Sequence, residues 1–241
     1  MAASAPGGGA AAGLVPSPTS RMVEVNVLDA RLAGMKKTVL NSARAIRDSI
    51  EVKSGRYRMA MVTLTYAEVG AWRPGHLAQF FHRVRSYFHE RGVKARYVFV
   101  AELQERGAVH YHVLFFMPKG LTLPKPDKRG WWPHGSTRTE WAQYALGYLC
   151  KYTAKLQSKT ATFPRGLRIC GAGGVDAAGR RECRWWKLPS YVRDAFDACV
   201  NPVRAAGGGF VALATGEWIA ARYRFAGVRG GVVRLVDLWV S

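Results

Sequence analysis

The stretch Tyr97–Phe116, YVFVAELQERGAVHYHVLFF, decides the fold. Tyr97 to Gln104 and Ala108 to Phe116 are rich in β-branched and aromatic side chains. Glu105-Arg106-Gly107 between them ends in a glycine that tolerates a left-handed backbone, so the stretch reads as two strands and a tight turn. With a three-residue loop, Gln104 pairs with Ala108, and counting outward two at a time sets Glu102 opposite His110. Directly opposed residues share a face with Cβ atoms roughly 5 Å apart, and the strand period of two puts His112 on that face as well. Two imidazoles and a carboxylate on one rigid hairpin suit a divalent cation with positions left open for substrate. A His-x-His alone is more often just a polar pair on a half-buried strand; the opposed carboxylate shifts the weight. Gln104 shares the face but sits at the turn and Glu105 lies in the loop, so Glu102 is the preferred third ligand.

Around this hairpin stand 241 residues, enough to bury one good core and a small appendage. The 36 Lys and Arg against 16 Asp and Glu give a formal net charge of +20, more than solubility requires, and nucleic acid is the partner such a field attracts. No apolar run reaches membrane-spanning length and no basic amphipathic helix stands apart, so a membrane is not an expected partner. Cys150, Cys170, Cys183 and Cys199 show no Cys-x-x-Cys pairing and follow no export signal, which suits reduced thiols in a cytosol. A zinc site around Cys170 and Cys183 would need ligands from elsewhere.

Residues 1–20 are rich in Ala, Gly, Pro and Ser and are expected to form a disordered tail. In 21–55 Val23, Val25 and Val27 alternate like a short strand. Leu32, Met35, Val39, Ala43 and Ile46 keep helical spacing, read as a peripheral helix after Asp29. Tyr57–Tyr66, YRMAMVTLTY, reads as a central strand with Thr63 and Thr65 on one face. After Arg73-Pro74-Gly75, Leu77, Phe80, Phe81, Val84 and Phe88 mark a helix that Gly92 ends, with His76, His82 and His89 on its wetter side. Met117–Ser136 is a Pro, Gly and Lys loop carrying Trp131 and Trp132. Between Lys125 and Arg168 there are nine Lys or Arg and two Asp or Glu. Aromatic rings among cations suit single-stranded DNA, whose bases stack while its phosphates are neutralised. The opposing reading, with equal weight, has both tryptophans pinning the loop to the body.

Thr137-Arg138-Thr139-Glu140 matches a capping box and opens a predicted helix to Gln157. Tyr148, Lys151, Tyr152 and Lys155 fall at offsets of three, four and seven and share one face of it. Farther on, Gly171–Gly179 reads as a flexible loop, Pro189–Cys199 as a helix, and Gly209–Tyr223 and Gly231–Trp239 as extended segments. No Gly-x-x-x-x-Gly-Lys-Ser/Thr loop occurs, which argues against a built-in nucleotide-driven helicase.

The ordered set of Thr63-Leu64-Thr65-Tyr66, Glu102 … His110-Tyr111-His112 and Tyr148-Leu149-Cys150-Lys151-Tyr152 resembles the rolling-circle replication initiators of the HUH endonuclease superfamily. The likeness is greatest to those of single-stranded DNA bacteriophages, filamentous ones included, and covers about Arg56 to Gly174. The resemblance implies an α+β fold, an antiparallel sheet of about five strands with flanking helices. It makes Glu102, His110 and His112 ligands of Mg²⁺ or Mn²⁺, Tyr148 a nucleophile, Tyr152 a second tyrosine and Lys151 the lysine between them. The family's hydrophobic residue between the histidines is here Tyr111.

The expected organisation is a tail over 1–20, a helical segment over 21–55, a nuclease domain over 56–170 and a C-terminal extension over 171–241. The expected activity is metal-dependent nicking and joining of single-stranded DNA at a replication origin through a 5′-phosphotyrosine link, with a host helicase and polymerase, in a bacterial host cytoplasm. Lys155, Trp131, Trp132 and Arg138 are the candidate DNA contacts. Two other readings share part of this pattern: a single-strand-binding module that does not cut, and a transposase or relaxase with the same site. The first leaves the convergence of Glu102, His110 and His112 without a reason.

Overall fold

The computed structural model describes residues 21–54, 57–142, 147 and 163–239. In chain order the described elements are β1 (Met22–Asn26), α1 (Val27–Ser54), β2 (Tyr57–Thr65), α2 (His76–His89), β3 (Arg96–Leu103), β4 (Val109–Pro118), β5 (Thr137–Trp141) and β6 (Cys170–Gly173). Helices α3 (Ala177–Trp185) and α4 (Ser190–Ala195), short strands β7 (Val203–Arg204), β8 (Phe210–Val211) and β9 (Trp218–Ile219), and the hairpin β10 (Tyr223–Arg229) and β11 (Val232–Asp237) follow. The fold is α+β, built on a five-stranded sheet of order β5-β2-β4-β3-β6 in which every neighbouring pair is antiparallel.

The period of two sorts the central strands. Ala60, Val62 and Leu64 of β2, Tyr97 and Phe99 of β3, and Tyr111, Val113 and Phe115 of β4 face α2, which buries Phe80, Phe81, Val84 and Phe88 against them. Gly92, at φ +65°, ends that helix as its sequence implies. Met61, Val98, Val100, Leu114 and Phe116 face the other way, onto Val39, Ala43, Ile46 and Ile50 of α1. Because helices cover both faces, β3 and β4 carry near-continuous apolar runs. The helix expected at the periphery is therefore the cover of a whole sheet face. It starts earlier than Asp29, because the Asn26 side chain accepts from the Leu28 and Asp29 amides at 2.9 and 3.2 Å and caps it.

Two expectations fail at the sheet's edges. Thr137–Trp141 is not a helix start but edge strand β5, with Leu64 opposite Thr137 and Thr63 opposite Arg138. The Thr137 hydroxyl, instead of capping, donates to Asp127 at 2.8 Å. An open edge on β2 offers five residues a ladder of hydrogen bonds, and this tertiary pairing outweighs the local capping signal. Likewise Gly171–Gly179 is not a loop: it supplies edge strand β6 and the start of α3. Its glycines are there for close approach, since a Cβ on Gly171 would lie 2.7 Å from the Phe99 ring. One on Gly179 would lie 2.8 Å from the Ala45 Cβ, where α3 crosses α1. The remainder of the predicted helix, with Tyr148, Lys151, Tyr152 and Lys155, lies outside the described residues apart from Gly147.

Beyond the main sheet the chain's two ends meet, since β11 lies between β1 and β10, with Met22 opposite Val236. Arg222 and the buried Asp237 clasp this end at 2.9 Å. The predicted helix over Pro189–Cys199 is present as α4 and a single 3₁₀ turn, Ala198–Val200.

Candidate metal centre

The hairpin register is the one its loop length dictates: Glu102 pairs with His110 and Val100 with His112. All three candidate ligands lie on the α1 side of the sheet, past the point where the apolar cover of α1 ends. The two His Nε2 atoms are 2.8 Å apart and the Glu102 Oε2 is 3.3 Å from that of His112. All three donor groups fall within 4.8 Å of one another. Ligand atoms bound at about 2.1 Å to one cation sit about 3 Å from each other, so the residues present fit a divalent metal. His112 is 4% exposed, and desolvation of this kind strengthens a cation's hold on its anionic ligand.

Neighbouring β2 aims the rings. Thr63 Oγ1 is 3.3 Å from His112 Nδ1 and Thr65 Oγ1 is 3.5 Å from His110 Nδ1, as the pairs Thr63–His112 and Thr65–His110 require. An Nδ1 engaged by a hydroxyl fixes the tautomer and leaves Nε2 facing the centre. The sequence placed both threonines on one face without revealing that this face held the histidines. Replacing either by valine keeps shape and strand preference but removes the hydroxyl. Thr63→Val is expected to weaken Mn²⁺ binding by about 10-fold in a calorimetric titration, and an unchanged affinity would show that the hydroxyl does not orient the ring.

The alternative third ligands are placed elsewhere. Arg106 at the hairpin tip donates to the Gln104 side chain at 3.0 Å and to the Tyr66 and Ala67 carbonyls at 2.6 Å each, while Glu105 is exposed. Among the described residues Glu102, His110 and His112 form the one such group, so no zinc site assembles around Cys170 and Cys183. Burial raises both of those thiols above their ordinary range.

The two tyrosines that flank the centre in sequence are poorly suited to be nucleophiles. Tyr111 points through the sheet to the α2 side, accepts from Trp72 Nε1 at 2.8 Å, and is pushed up to about 12 by burial. Tyr66 is fully buried, its hydroxyl 3.1 Å from His76 Nδ1, and burial raises it further. His76 is half-buried rather than on the wet side, stacked on His134 with centroids 3.6 Å apart; His82 and His89 are exposed.

The candidate DNA contacts separate. Arg138 shares the metal-centre face through its pairing with Thr63 and is exposed, 2.7 Å from Glu140. Exposed pairs of this kind contribute little and are readily exchanged for a phosphate. Trp131 is half-buried against Tyr87, centroids 5.3 Å apart. Trp132 is 1% exposed and donates to the Thr65 carbonyl at 3.1 Å, so it offers no face to a base and instead ties the loop to β2. Among the described residues no helix is long and apolar enough to cross a membrane.

Fold and centre together define an α+β protein with a metal-capable Glu/His/His cluster at one end of an antiparallel sheet. Residues 59–157, which include β2 to β5 and the whole cluster, match the family model of the replication-associated protein ORF2. The match supports a kinship with phage and plasmid replication initiators. No curated protein and no solved structure matches the chain.

Proposed function

We propose that the chain initiates rolling-circle replication by nicking and rejoining single-stranded DNA. The observation that carries the reading is the convergence of Glu102, His110 and His112 within 4.8 Å, inside the segment that matches replication-associated proteins. A cation held by these three side chains, Mg²⁺ or Mn²⁺, would polarise a non-bridging oxygen of the scissile phosphate, and imidazole ligands suit Mn²⁺ the better. Sequence likeness makes Tyr148 the nucleophile. With a pKa of ~10, only about one phenol in a thousand is ionised at neutral pH, and Lys151 and Lys155 supply positive charge that favours the phenolate. The Tyr148 oxygen attacks phosphorus, the bond to the 3′-oxygen breaks, that oxygen leaves with a proton, and a 5′-phosphotyrosine remains. The link conserves the phosphodiester, so a later 3′-hydroxyl reverses the step and rejoins the strand. Tyr152 can hold or cut a second end. Arg138, on the same face, is a phosphate contact in this scheme, and origin DNA, a host helicase and a host polymerase are its partners in the bacterial cytoplasm.

The test is a labelled single-stranded oligonucleotide from the origin of the replicon that encodes the chain, incubated with Mn²⁺ with and without chelator. A covalent adduct that chelator prevents, that Tyr152→Phe retains and that Tyr148→Phe loses is the expected result. Wild type that binds the oligonucleotide yet gives no adduct would leave the non-cutting binding module in its place. Circle formation and origin specificity distinguish an initiator from a transposase or relaxase.

A further inference from the structure

Directly behind the metal centre, on the α2 side of the sheet, lies a cavity of about 310 Å³ between α2, the end of β3 and the segment around Gly166. Tyr111, the residue between the two histidines, lines it with Trp72, and Tyr97 with Arg73, Arg85 and Arg168 complete the wall. The Tyr97 hydroxyl is hydrogen-bonded by Arg85 and lies within the field of Arg168. Its ring stacks on Phe81 with centroids 4.0 Å apart and planes 9° from parallel. On the open side, β6 carries glycines where it passes the rings, since a Cβ on Gly173 would collide with Tyr97. This keeps the aromatic floor from being roofed by side chains. No carboxylate lines the cavity, and among the described residues none lies in ion-pair distance of its three arginines. Burial raises the Tyr97 hydroxyl, against the opposing pull of Arg85 and Arg168, so it remains a proton donor.

Guanidinium groups without carboxylate partners, set around aromatic rings, are what a nucleotide requires: cations for its phosphate and π-faces for its base. The volume is at the small end of ligand pockets, roughly 300–1,000 Å³, and admits one nucleotide, not a duplex. We propose that this cavity binds a nucleoside phosphate, as one unit of a single strand that continues past the sheet edge from the metal centre. The choice of a nucleic-acid strand over a free nucleotide rests on the proposed function; the nucleotide chemistry does not.

The test uses the full chain with the double variant Arg85→Ala/Arg168→Ala, and as control Lys36→Ala/Lys37→Ala, which removes the same charge from exposed positions on α1. Binding of a fluorescein-labelled oligothymidylate of about 15 nucleotides is read by anisotropy over a salt series. Thymidine monophosphate is titrated separately against tryptophan fluorescence. The expected result is an affinity for oligothymidylate about 10-fold or more below the control, with a salt slope flatter by about one and an unchanged melting temperature. If the double variant does not fold, Arg168→Gln, exposed and outside any strand, carries the test with the same direction. Saturable quenching by the monophosphate in wild type, lost in the variant, would assign the cavity to free nucleotide. Its absence alongside the oligonucleotide effect assigns it to a strand. A double variant that binds like the control, or a wild type that binds neither probe, overturns the proposal. Wild type that binds but forms no covalent adduct removes the nicking reading and leaves the cavity.

Discussion

A His110→Ala chain is expected to lose metal-dependent cleavage by about 1,000-fold or more, because the lost ligand takes with it the cation that stabilises charge on the phosphate, a contribution of several kcal/mol. The same variant separates chemistry from folding. His110 is only half-buried, and its ring touches His112, Thr65 and the open side of the cluster more than the apolar core. Without metal, its melting temperature is expected to stay close to that of wild type. With Mn²⁺ at about 100 times its dissociation constant, wild type gains about 2.7 kcal/mol from preferential binding to the folded state, and the variant gains almost none. Calorimetry with and without Mn²⁺ reads this without any DNA. A wild-type melting temperature indifferent to Mn²⁺, or a variant that still cleaves, would remove the metal centre. His112→Ala is the less clean experiment, since His112 is 4% exposed and its loss also leaves Glu102 in a desolvated place.

Trp132→Ala is expected to be among the most destabilising single changes, costing about 3–5 kcal/mol, or about 10 °C in melting temperature for a chain of this size. Its ring packs edge-on against Tyr66, Phe80 and Tyr111, with centroids 5.0, 6.2 and 6.4 Å away, so truncation opens a cavity where the loop, α2 and β2 meet. It also strips the Thr65 carbonyl of its indole donor. Thr65 is the residue that aims His110, so loosening β2 here reaches the metal centre. Trp131→Ala, at a half-buried ring, is expected to cost far less. If Trp132 were a base platform, its replacement would instead weaken oligonucleotide binding and leave the melting temperature unchanged. Denaturation and anisotropy on the two variants decide between these outcomes.

What could be read from residues alone was local. The register that opposes Glu102 and His110 follows from a three-residue loop and a period of two, both contained within Tyr97–Phe116. The α2 stripe of Phe80, Phe81, Val84 and Phe88 likewise needs no partner to be recognised. In each case the signal and the structure it reports lie within a few residues of each other, and hydrophobic burial and turn geometry agree.

Only the tertiary structure could decide elements whose energy comes from afar. Thr137–Glu140 carries a sound capping signal, yet the open edge of β2 claims it as a strand, because ladder hydrogen bonds to a distant partner outweigh one turn of helix. The glycines at 171 and 173 look like a flexible loop until the rings of Phe99 and Tyr97 are seen to need the space. The same holds for Trp132, whose composition suits a base and a core equally, and for Thr63 and Thr65, whose function depends on which strand lies beside them. The sequence by itself determined which side chains could form a metal centre and that one hairpin presents them. Long-range strand pairing and burial decided how their rings are aimed and which aromatic side chains remain available to a ligand, because those contacts join segments that carry no record of one another in their local pattern.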